Sequence, residues 1–599
     1  MHKLIFKIIL TCIFVLAVQR LEAQSDKREI EKQVEVVKDY KPEAIEVIKI
    51  DSYPNIEKGS AKPKSFDYQI NAVPYTSAEG SINPIAPAKM SGLPSDKGNY
   101  GYVKAGFGNY TTPYGEIFLN TKPSDKSKFL FGLYAKHLSS SGDIDLIDGP
   151  KVESNSSHNN ANIFGKYIGD KMYARLSLDF DRDRIDYYGW SNSLHETLLP
   201  SISASNDDIL NINKNIFTSY GASFLLGNSL LQKENLVYEI DMGIHMLDFY
   251  SGQSELHSKI RADLNYNMDA FVLGAKLGFE NAGMKDVLGD LPTTSSAISP
   301  EFKNNKSTLS FSPYFKMNRD KINIYLGINT AFNFGNSDID TVYASDVSYS
   351  DFFIAPDIRI SWRADDNFIL NARLSGEQTF GYMGGMVKNM PYLAPSQIFY
   401  APNTSRYFAE IGGSVDITSQ LEARLNLNYS IYTDKAQYVF GADSTSVAGL
   451  RTFSLESDDF NNFQVDFQLN YQFSDALQLS GGIQFVSSSG DIFDKDAYNP
   501  NLTLIFSGRY SKNGIYVSPQ FRFIDVGTAY AYNYTSTATK YKELDLDNIL
   551  DLSVEGGYEI MKNLSIFCRL NNLLFQDYEF WYGYTKQSFN GLLGMSYVF

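Results

Sequence analysis

The sequence has almost no cysteine and no long apolar run beyond its N-terminus. Cys12 and Cys568 are the only cysteines in 599 residues. Because Cys12 lies inside the N-terminal apolar stretch, an internal disulfide and a cysteine-based metal site are excluded. A membrane-spanning helix needs about 20 consecutive apolar residues, and the mean hydropathy is only -0.25. The composition therefore excludes a helical membrane protein, but it allows a barrel whose strands are apolar on one face.

Positive charge and histidine are also scarce. The chain has 53 basic and 69 acidic residues and a net charge of -16, which argues against a nucleic-acid partner. His137 and His245 lie in strand-like runs, but no serine or aspartate stands at a recognisable catalytic spacing from them. We therefore predict that the chain is not an enzyme, and we predict no catalytic residue, no cofactor and no metal site.

Aromatic residues, in contrast, are abundant. Tyr and Phe each occur 41 times, and aromatic residues make up 14% of the chain. These residue types favour strands and collect where a membrane meets water. The composition thus indicates strands and membrane-interface belts.

The first 98 residues differ from the rest of the chain. His2, Lys3 and Lys7 form a basic start, followed by an apolar stretch and a cleavage site that ends at Ala23. This order predicts a signal peptide at residues 1–23. Residues 24–98 contain seven of the 20 prolines, too closely spaced for long elements. We predict a Pro-rich periplasmic segment there, available for contact with a lumen or with a partner.

From residue 99 onward, alternating runs are separated by turn signals. In residues 463–473 (FQVDFQLNYQF) and 421–431 (LEARLNLNYSI), every second residue is apolar. Because alternate side chains of a strand point to opposite faces, each run predicts a strand with one apolar face. We count 22 such runs: 99–109, 113–121, 127–138, 157–168, 172–186, 212–227, 234–249, 254–267, 270–281, 306–317, 321–334, 352–363, 367–380, 405–417, 420–433, 460–473, 476–487, 502–510, 514–524, 547–560, 563–575 and 589–599.

Two features favour a transmembrane barrel over a soluble sandwich. Many runs have 11 to 16 residues, whereas strands of globular sheets typically have about 5 or 6. The connections also alternate between short turns, such as 169–171, and long loops, such as 139–156 and 434–459, as in barrels with short periplasmic turns and long outer loops. We predict an all-β fold: a transmembrane antiparallel up-and-down β-barrel of about 22 strands over residues 99–599. It would contact lipid in the outer membrane of a didermal bacterium.

The last strand carries a further signal. Leu593, Met595, Tyr597 and Phe599 share one face of residues 589–599 (FNGLLGMSYVF), and the chain ends on an aromatic residue. Such an end resembles that of outer-membrane barrel proteins, in which it is the sorting and insertion signal. The resemblance implies that these four residues form a membrane-insertion signal read by the barrel assembly machinery.

One family is similar over roughly residues 360–599. Residues 564–584 (LSIFCRLNNLLFQDYEFWYGY) and the closing GLLGMSYVF resemble the C-terminal signature of TonB-dependent outer-membrane receptors, which have large barrels. Those receptors carry a globular plug ahead of the barrel, preceded by an energy-coupling box. Residues 24–98 show neither feature. The chain thus resembles a TonB-dependent receptor-like barrel without a recognisable plug domain, and this departure puts energy-coupled uptake in doubt.

Two sets of residues are candidates for contact with a solute. The first set lies on polar strand faces, which would face a lumen too wide for wall side chains to fill; these lumen-facing residues are Glu422, Arg424, Asp466, Arg522, Asp551, Glu555 and Arg569. They fit either a merely hydrated interior or a path for polar solutes. The second set consists of aromatic residues near strand tops: Tyr187, Tyr188, Trp190, Phe580, Trp581 and Tyr582. They fit either an interface girdle or a stacking surface for a ligand.

The sequence therefore predicts uptake or passage of a polar solute across the outer membrane. The alternative is a structural or assembly subunit. In that case the barrel anchors a periplasmic or outer-membrane protein partner through the Pro-rich segment or the long loops.

Overall fold

A computed structural model describes most of the chain after residue 99. The described residues are 100–121, 128–147, 149–190, 214–228, 235–250, 252–268, 270–287, 301–339, 347–394, 401–441, 452–533 and 540–599. The predicted signal peptide and Pro-rich segment lie outside these residues. All structural statements below concern the described residues.

The described chain is almost entirely β-structure. Its elements are β1 (Gly101–Gly108), β2 (Thr112–Asn120), β3 (Phe129–Asp145), β4 (Lys151–Ile168), β5 (Met172–Asp186), β6 (Lys214–Asn228), β7 (Leu236–Phe249), β8 (Ser254–Asn267), β9 (Phe271–Val287), β10 (Glu301–Arg319), β11 (Ile322–Ile339), β12 (Val347–Asp365), β13 (Phe368–Thr379), α1 (Met383–Asn389), β14 (Thr404–Thr418), β15 (Leu421–Phe440), β16 (Phe453–Ser474), β17 (Leu477–Gly490), β18 (Leu502–Lys512), β19 (Ile515–Asp525), β20 (Thr528–Tyr532), β21 (Tyr541–Asp545), β22 (Ile549–Met561), β23 (Leu564–Asn571), β24 (Glu579–Trp581), β25 (Tyr584–Thr585) and β26 (Asn590–Val598). No helix among the described residues is long and apolar enough to span a membrane.

Twenty-two of these strands form a closed antiparallel ring. Each strand from β1 to β18 pairs with the next, β19 pairs with β22, β22 pairs with β23, and β23 pairs with β26. β26 then pairs with β1, from Tyr102↔Val598 to Gly108↔Leu592. Every predicted run overlaps one strand of this ring, so the prediction of an antiparallel barrel of about 22 strands is confirmed. A closed ring leaves no unpaired edge, which is what a sheet surrounded by lipid requires.

The two faces of the wall differ in polarity. On β26, Leu593, Met595 and Tyr597 are 64%, 50% and 49% exposed, and they alternate with Gly594 and Ser596. Large exposed side chains recur at every second position of other strands, as at Leu176 and Leu178 of β5, Leu309 and Phe311 of β10, and Ile354 and Ile360 of β12. Because the period of a strand is two residues, these apolar side chains share the outer face. The polar side chains between them share the inner face.

Several strands extend beyond the thickness of a bilayer at the end that carries the long connections. β15 and β16 have 20 and 22 residues, about twice the 9 to 11 residues that cross a bilayer. β3 and β4 pair as far as Asp145↔Lys151, although residues 139–156 are predicted as a loop. Polar pairs such as Ser140↔Ser156 extend the ladder without an apolar face. The predicted loop is therefore too long because a strand end outside lipid does not need the alternation by which strands are recognised.

The remaining elements lie in the connections at the long-loop end. β20 and β21 form a hairpin, and β20 also pairs in parallel with β15 at Val439↔Tyr530. β24 and β25 form a second small hairpin, and α1 lies between β13 and β14. These elements do not enlarge the wall, and most of them contribute to the apolar cluster described next.

Candidate functional site

An apolar cluster fills the mouth of the barrel at the long-loop end. Its buried members come from strand ends and connections around the ring, among them Leu146, Tyr187, Phe249, Met284, Leu393, Phe453 and Tyr584. Side chains at or beyond the ends of β3, β7, β13 and β23 meet across the opening of the ring. We call this cluster the mouth cap.

The connection between β13 and β14, described for residues 380–394 and 401–403, provides several of the most deeply buried side chains of the mouth cap. Met383, Met390 and Leu393 are fully buried and Val387 nearly so, which stabilises the closed arrangement by about 1.5–3 kcal/mol per side chain. Two main-chain hydrogen bonds add to this contact: the Ala394 N–H donates to the Phe453 carbonyl (2.7 Å), and the Phe453 N–H donates to the Tyr392 carbonyl (3.0 Å). We call residues 380–394 and 401–403 the α1 connection.

Tyr187 and Tyr188, two of the predicted ligand contacts, lie inside the mouth cap. The Tyr187 hydroxyl donates to the Leu393 carbonyl (2.9 Å), and the Tyr188 hydroxyl donates to the Thr585 carbonyl (3.2 Å). The Tyr188 ring also packs edge-on against Tyr584, with centroids 4.9 Å apart. As placed, these two tyrosines hold the cap together, and contact with a ligand stays a prediction that requires the cap to open.

The other four predicted ligand contacts, Trp190, Phe580, Trp581 and Tyr582, are only partly buried. The Trp581 ring packs on Tyr498 at 4.7 Å, and the Tyr582 ring packs on Phe440 at 5.1 Å. These residues are joined to the cap and still reach solvent. A stacking surface formed by them stays a prediction.

Burial changes the acidity of the tyrosines in the mouth connections. Removal from water raises the pKa of the Tyr187, Tyr188 and Tyr498 hydroxyls well above the ordinary value, because a buried phenolate would lose its hydration. The same cause raises the pKa of Tyr530, which lies in a neighbouring apolar cluster outside the cap, to about 12. The cap is therefore built around phenols that must stay neutral.

The seven predicted lumen-facing residues all lie on the polar face of the wall, and most of them are joined in pairs. Arg424 donates to Glu422 (2.7 Å), Arg569 donates to Glu555 (3.2 Å), and the Nε of Arg522 donates to Asp551 (3.0 Å). Asp466 accepts from Gln464 (2.9 Å). The pairing neutralises neighbouring charges of opposite sign, and contact with a solute stays a prediction.

A group of acidic residues on the polar face was missed by the sequence analysis. On β5, Asp179 accepts a hydrogen bond from the Asn162 amide (2.5 Å). Asp183 pairs with His158 (2.9 Å). A polar recess of about 420 Å³ lies beside them, lined by Asn162, Arg175, Ser177, Asp179, Ser223, Leu225, Glu239 and Asp241. The available signal was the spacing of acids in residues 179–186 (DFDRDRID), because aspartates at every second residue from 179 to 183 share one face of a strand.

The two strand histidines lie on opposite faces of the wall. His245 is on the polar face, with its ring 6.3 Å from that of His257. His137 shares the outer face with Phe131, which is exposed. Within the described ranges, no group of three or more His, Cys, Asp or Glu side chains could hold a metal ion.

Neither a family model nor a curated protein matches the chain. Solved structures are similar to it, however. The ferric-catecholate import receptor Fiu from K12 E. coli has a TM-score of 0.59 and 12% identity, covering 84% of this chain and 82% of that chain. The FrpB iron transporter from Neisseria meningitidis has a TM-score of 0.60 and 11% identity, with 84% and 82% covered. The ferripyoverdine receptor of the outer membrane of Pseudomonas aeruginosa has a TM-score of 0.60 and 12% identity, with 83% and 71% covered.

The chain has the fold of an outer-membrane receptor barrel. At this identity the likeness concerns the fold alone, and at that level the receptor-like resemblance of the C-terminal strands is confirmed. The names of these similar proteins describe receptors and transporters. A plug would come before the barrel in the sequence, and that part of the chain lies outside the described residues.

Proposed function

We propose that the chain is an integral outer-membrane barrel through which a polar solute is taken up or passes. The observation that carries the proposal is the closed ring of 22 strands with an apolar outer face and a charged inner face. An apolar outer face fits lipid, and a polar inner face fits water and polar solutes. The similarity to import receptors supports the same function, and the C-terminal strand would be the contact for the barrel assembly machinery.

Passage can be tested with purified protein in liposomes and planar bilayers. We expect uptake of small polar solutes into the liposomes, in the full mature chain or after deletion of residues 24–98, which could occupy the lumen. A lipid-only preparation and a barrel without a lumen of this size are the controls. The proposal is contradicted if neither swelling nor conductance is seen with the full mature chain or with the form that lacks residues 24–98. The same test applies to a form from which the α1 connection is also removed.

We propose that the solute contacts the four partly exposed aromatic residues, Trp190, Phe580, Trp581 and Tyr582, and the polar recess beside β5. Trp190 and Trp581 lie at the mouth, whereas Trp362 is exposed on the outer face. In a W362F variant the remaining tryptophan fluorescence comes from the mouth, so a solute that stacks there should change it. Addition of W581F should remove most of that change if Trp581 makes the contact.

A structural or assembly role is the second candidate. The mouth cap favours it, since an anchor has no need of an open lumen. Isolation of the tagged protein from outer membranes should then return a periplasmic or outer-membrane protein in constant ratio, and deletion of residues 24–98 or of an outer connection should release it. A chain that is isolated alone and conducts solute would exclude this role.

A further inference from the structure

The inner faces of β16 and β17 are lined by carboxamides. On β16, four of the five polar-face residues from 464 to 472 are Gln or Asn, and the fifth is Asp466. On β17, the polar face of residues 478–484 carries Gln478, Ser480, Gly482 and Gln484. We call the polar faces of residues 464–472 and 478–484 the amide wall.

Strand pairing continues the amide wall onto the next strands. Asn470 lies opposite Ser480, and Ser480 lies opposite Ser507 of β18. Ser507 in turn lies opposite Gln520 of β19. Because the Cβ atoms of directly opposed residues are about 4.5–5.5 Å apart, these side chains form one row of neutral hydrogen-bonding groups across four strands.

Strands elsewhere in the ring show that this composition is a local feature. The polar face of β8 carries four charged side chains: Glu255, Lys259, Arg261 and Asp263. The amide wall, all of which is described, has one charged side chain, that of Asp466. Both patterns hold water, so hydration alone does not account for the difference between the two sides.

The carboxamides of the amide wall are only lightly used by their neighbours. The Nε2 of Gln468 donates to the Oδ1 of Asn470 in a long bond of 3.4 Å, and the side chains of Gln468 and Gln478 are exposed. A carboxamide has two N–H donors and one carbonyl acceptor. A single bond of this kind therefore leaves the side chain with both a donor and an acceptor for a solute.

The surface is recessed at Gly482, which lies within the amide wall. Apart from its neighbours in the chain, a Cβ at this position would meet no atom closer than the Phe467 carbonyl oxygen, 3.9 Å away. Gly482 pairs with Gln468 of β16, so the recess lies beside an exposed carboxamide. A solute can thus approach the backbone of the wall where side chains would otherwise hold it away.

The aromatic residues predicted to contact a ligand lie at the mouth end of the same strands. The Tyr582 ring packs on Phe440 (5.1 Å), and the Trp581 ring packs on Tyr438 (6.1 Å). Phe440 and Tyr438 belong to the outer end of β15, which pairs with β16 along its length. The partly exposed aromatic rings and the amide wall therefore follow one side of the barrel from the mouth inward.

We propose that the solute is a neutral saccharide, and that the amide wall is its binding surface inside the passage. The inference rests on the proposed function, because such a surface requires a path through the barrel. A sugar hydroxyl is both donor and acceptor, as a carboxamide is, and the C–H face of a sugar ring fits the apolar face of an aromatic ring. A charged solute would lose hydration at this wall and find little opposite charge in return.

Three trisaccharides of similar size but different charge test this preference. The probes are maltotriose, which is neutral, the glucosamine trimer, which is cationic in mildly acidic buffer, and the galacturonate trimer, which is anionic. Uptake of each labelled probe is timed in liposomes that contain the full mature chain, with salt on both sides. We expect maltotriose to enter about two- to tenfold faster than either charged probe, the range that one hydrogen bond accounts for.

Variants of exposed carboxamides test whether the amide wall causes the preference. Q468L/Q478L removes hydrogen-bonding groups without adding charge, and Q468E/Q478E adds two negative charges. We expect each to lower the preference for maltotriose over the glucosamine trimer severalfold. The control N323D/N371D adds two negative charges on the polar faces of β11 and β13 and should change the preference much less. Retained heat-modifiability in gel electrophoresis shows that each variant contains a folded barrel.

The outcomes separate failure of the saccharide inference from failure of the passage. If the three probes enter at equal rates, or a charged probe enters fastest, the saccharide inference is overturned and the passage stands. An equal change in the amide-wall variants and in the control overturns the assignment of the binding surface. If neither salt ions nor any probe enters in any of the forms used to test passage, the passage is wrong and the saccharide inference is wrong with it.

Discussion

At the scale of single residues, one side-chain type serves two opposite environments. Leu593 on β26 is 64% exposed on the outer face, whereas Leu393 in the α1 connection is fully buried in the mouth cap. The first stabilises the protein only when lipid surrounds it, and the second stabilises the cap in water. Leucine content therefore says little about stability here until the face and the end of the barrel are known.

Leu393 gives a test of the mouth cap as a packed core. L393A should destabilise the closed cap by about 2–5 kcal/mol, the usual cost of a buried leucine-to-alanine change. We expect faster proteolysis of the mouth connections with an unchanged barrel fragment. L574A removes a half-exposed leucine from another mouth connection and should have little effect. Equal proteolysis of the two variants would contradict a packed cap.

At the scale of elements, β26 has to close the ring and also carries the predicted insertion signal. It pairs with β23 on one side and with β1 on the other. The approach to β1 is close, because a Cβ on Gly594 would lie 2.6 Å from the Ala105 carbonyl oxygen. Its outer face, with Leu593, Met595 and Tyr597 exposed, is available to another protein until lipid covers it. Closure uses the two hydrogen-bonding edges of β26, so its outer face stays available for the predicted recognition.

The insertion signal predicts an effect on the amount of protein in the membrane. Deletion of Phe599 combined with Y597S should lower the level of folded barrel in washed outer membranes severalfold. Y558S changes an equally exposed outer tyrosine on β22, and it should lower the level much less. If both variants reach the membrane equally, the C-terminal residues act only in packing, as the Tyr597 and Phe599 rings, stacked 6.0 Å apart, would suggest.

The sequence predicts the wall well because lipid imposes the alternation that marks each strand. Residues 421–431 and 463–473 fall on β15 and β16, and Leu425 pairs with Phe467 on the apolar face. The ends of the same strands are missed, since residues in water need no such pattern. Glu255 and Met383 are 128 positions apart, and no local pattern indicates that they touch. The strands of the wall can thus be predicted from periodicity. The mouth cap cannot, because it depends on contacts between segments far apart in the sequence.

At the scale of the whole molecule, the wall and the mouth cap are held by different interactions. The wall is a ring of backbone hydrogen bonds in lipid, where an unpaired group has no water to bind. The cap is an apolar cluster of connections that face water, with few hydrogen bonds across it. Regions of this second kind open with smaller free energies than the structure that carries them. We therefore expect the cap to open before the wall unfolds.

Alkaline pH should open the mouth cap while the wall of the barrel stays folded. Burial raises the pKa values of Tyr187, Tyr188 and Tyr498 in the mouth cap. In the open cap these phenols titrate near the ordinary value of about 10, so the open form binds fewer protons above that pH. The closed cap is then fully stable below about pH 10 and loses stability as the pH rises above that value.

This loss should be visible as a cooperative step. Phenolate absorbance at 295 nm should rise in one early phase from exposed tyrosines and in a later phase that coincides with a change in near-ultraviolet circular dichroism. The far-ultraviolet β signal should persist through both phases, because the wall does not depend on those phenols. L393A should move the later phase to lower pH, since less free energy then opposes opening. A single phase near pH 10, without a change in near-ultraviolet signal, would mean that the tyrosines are not buried in a closed cap.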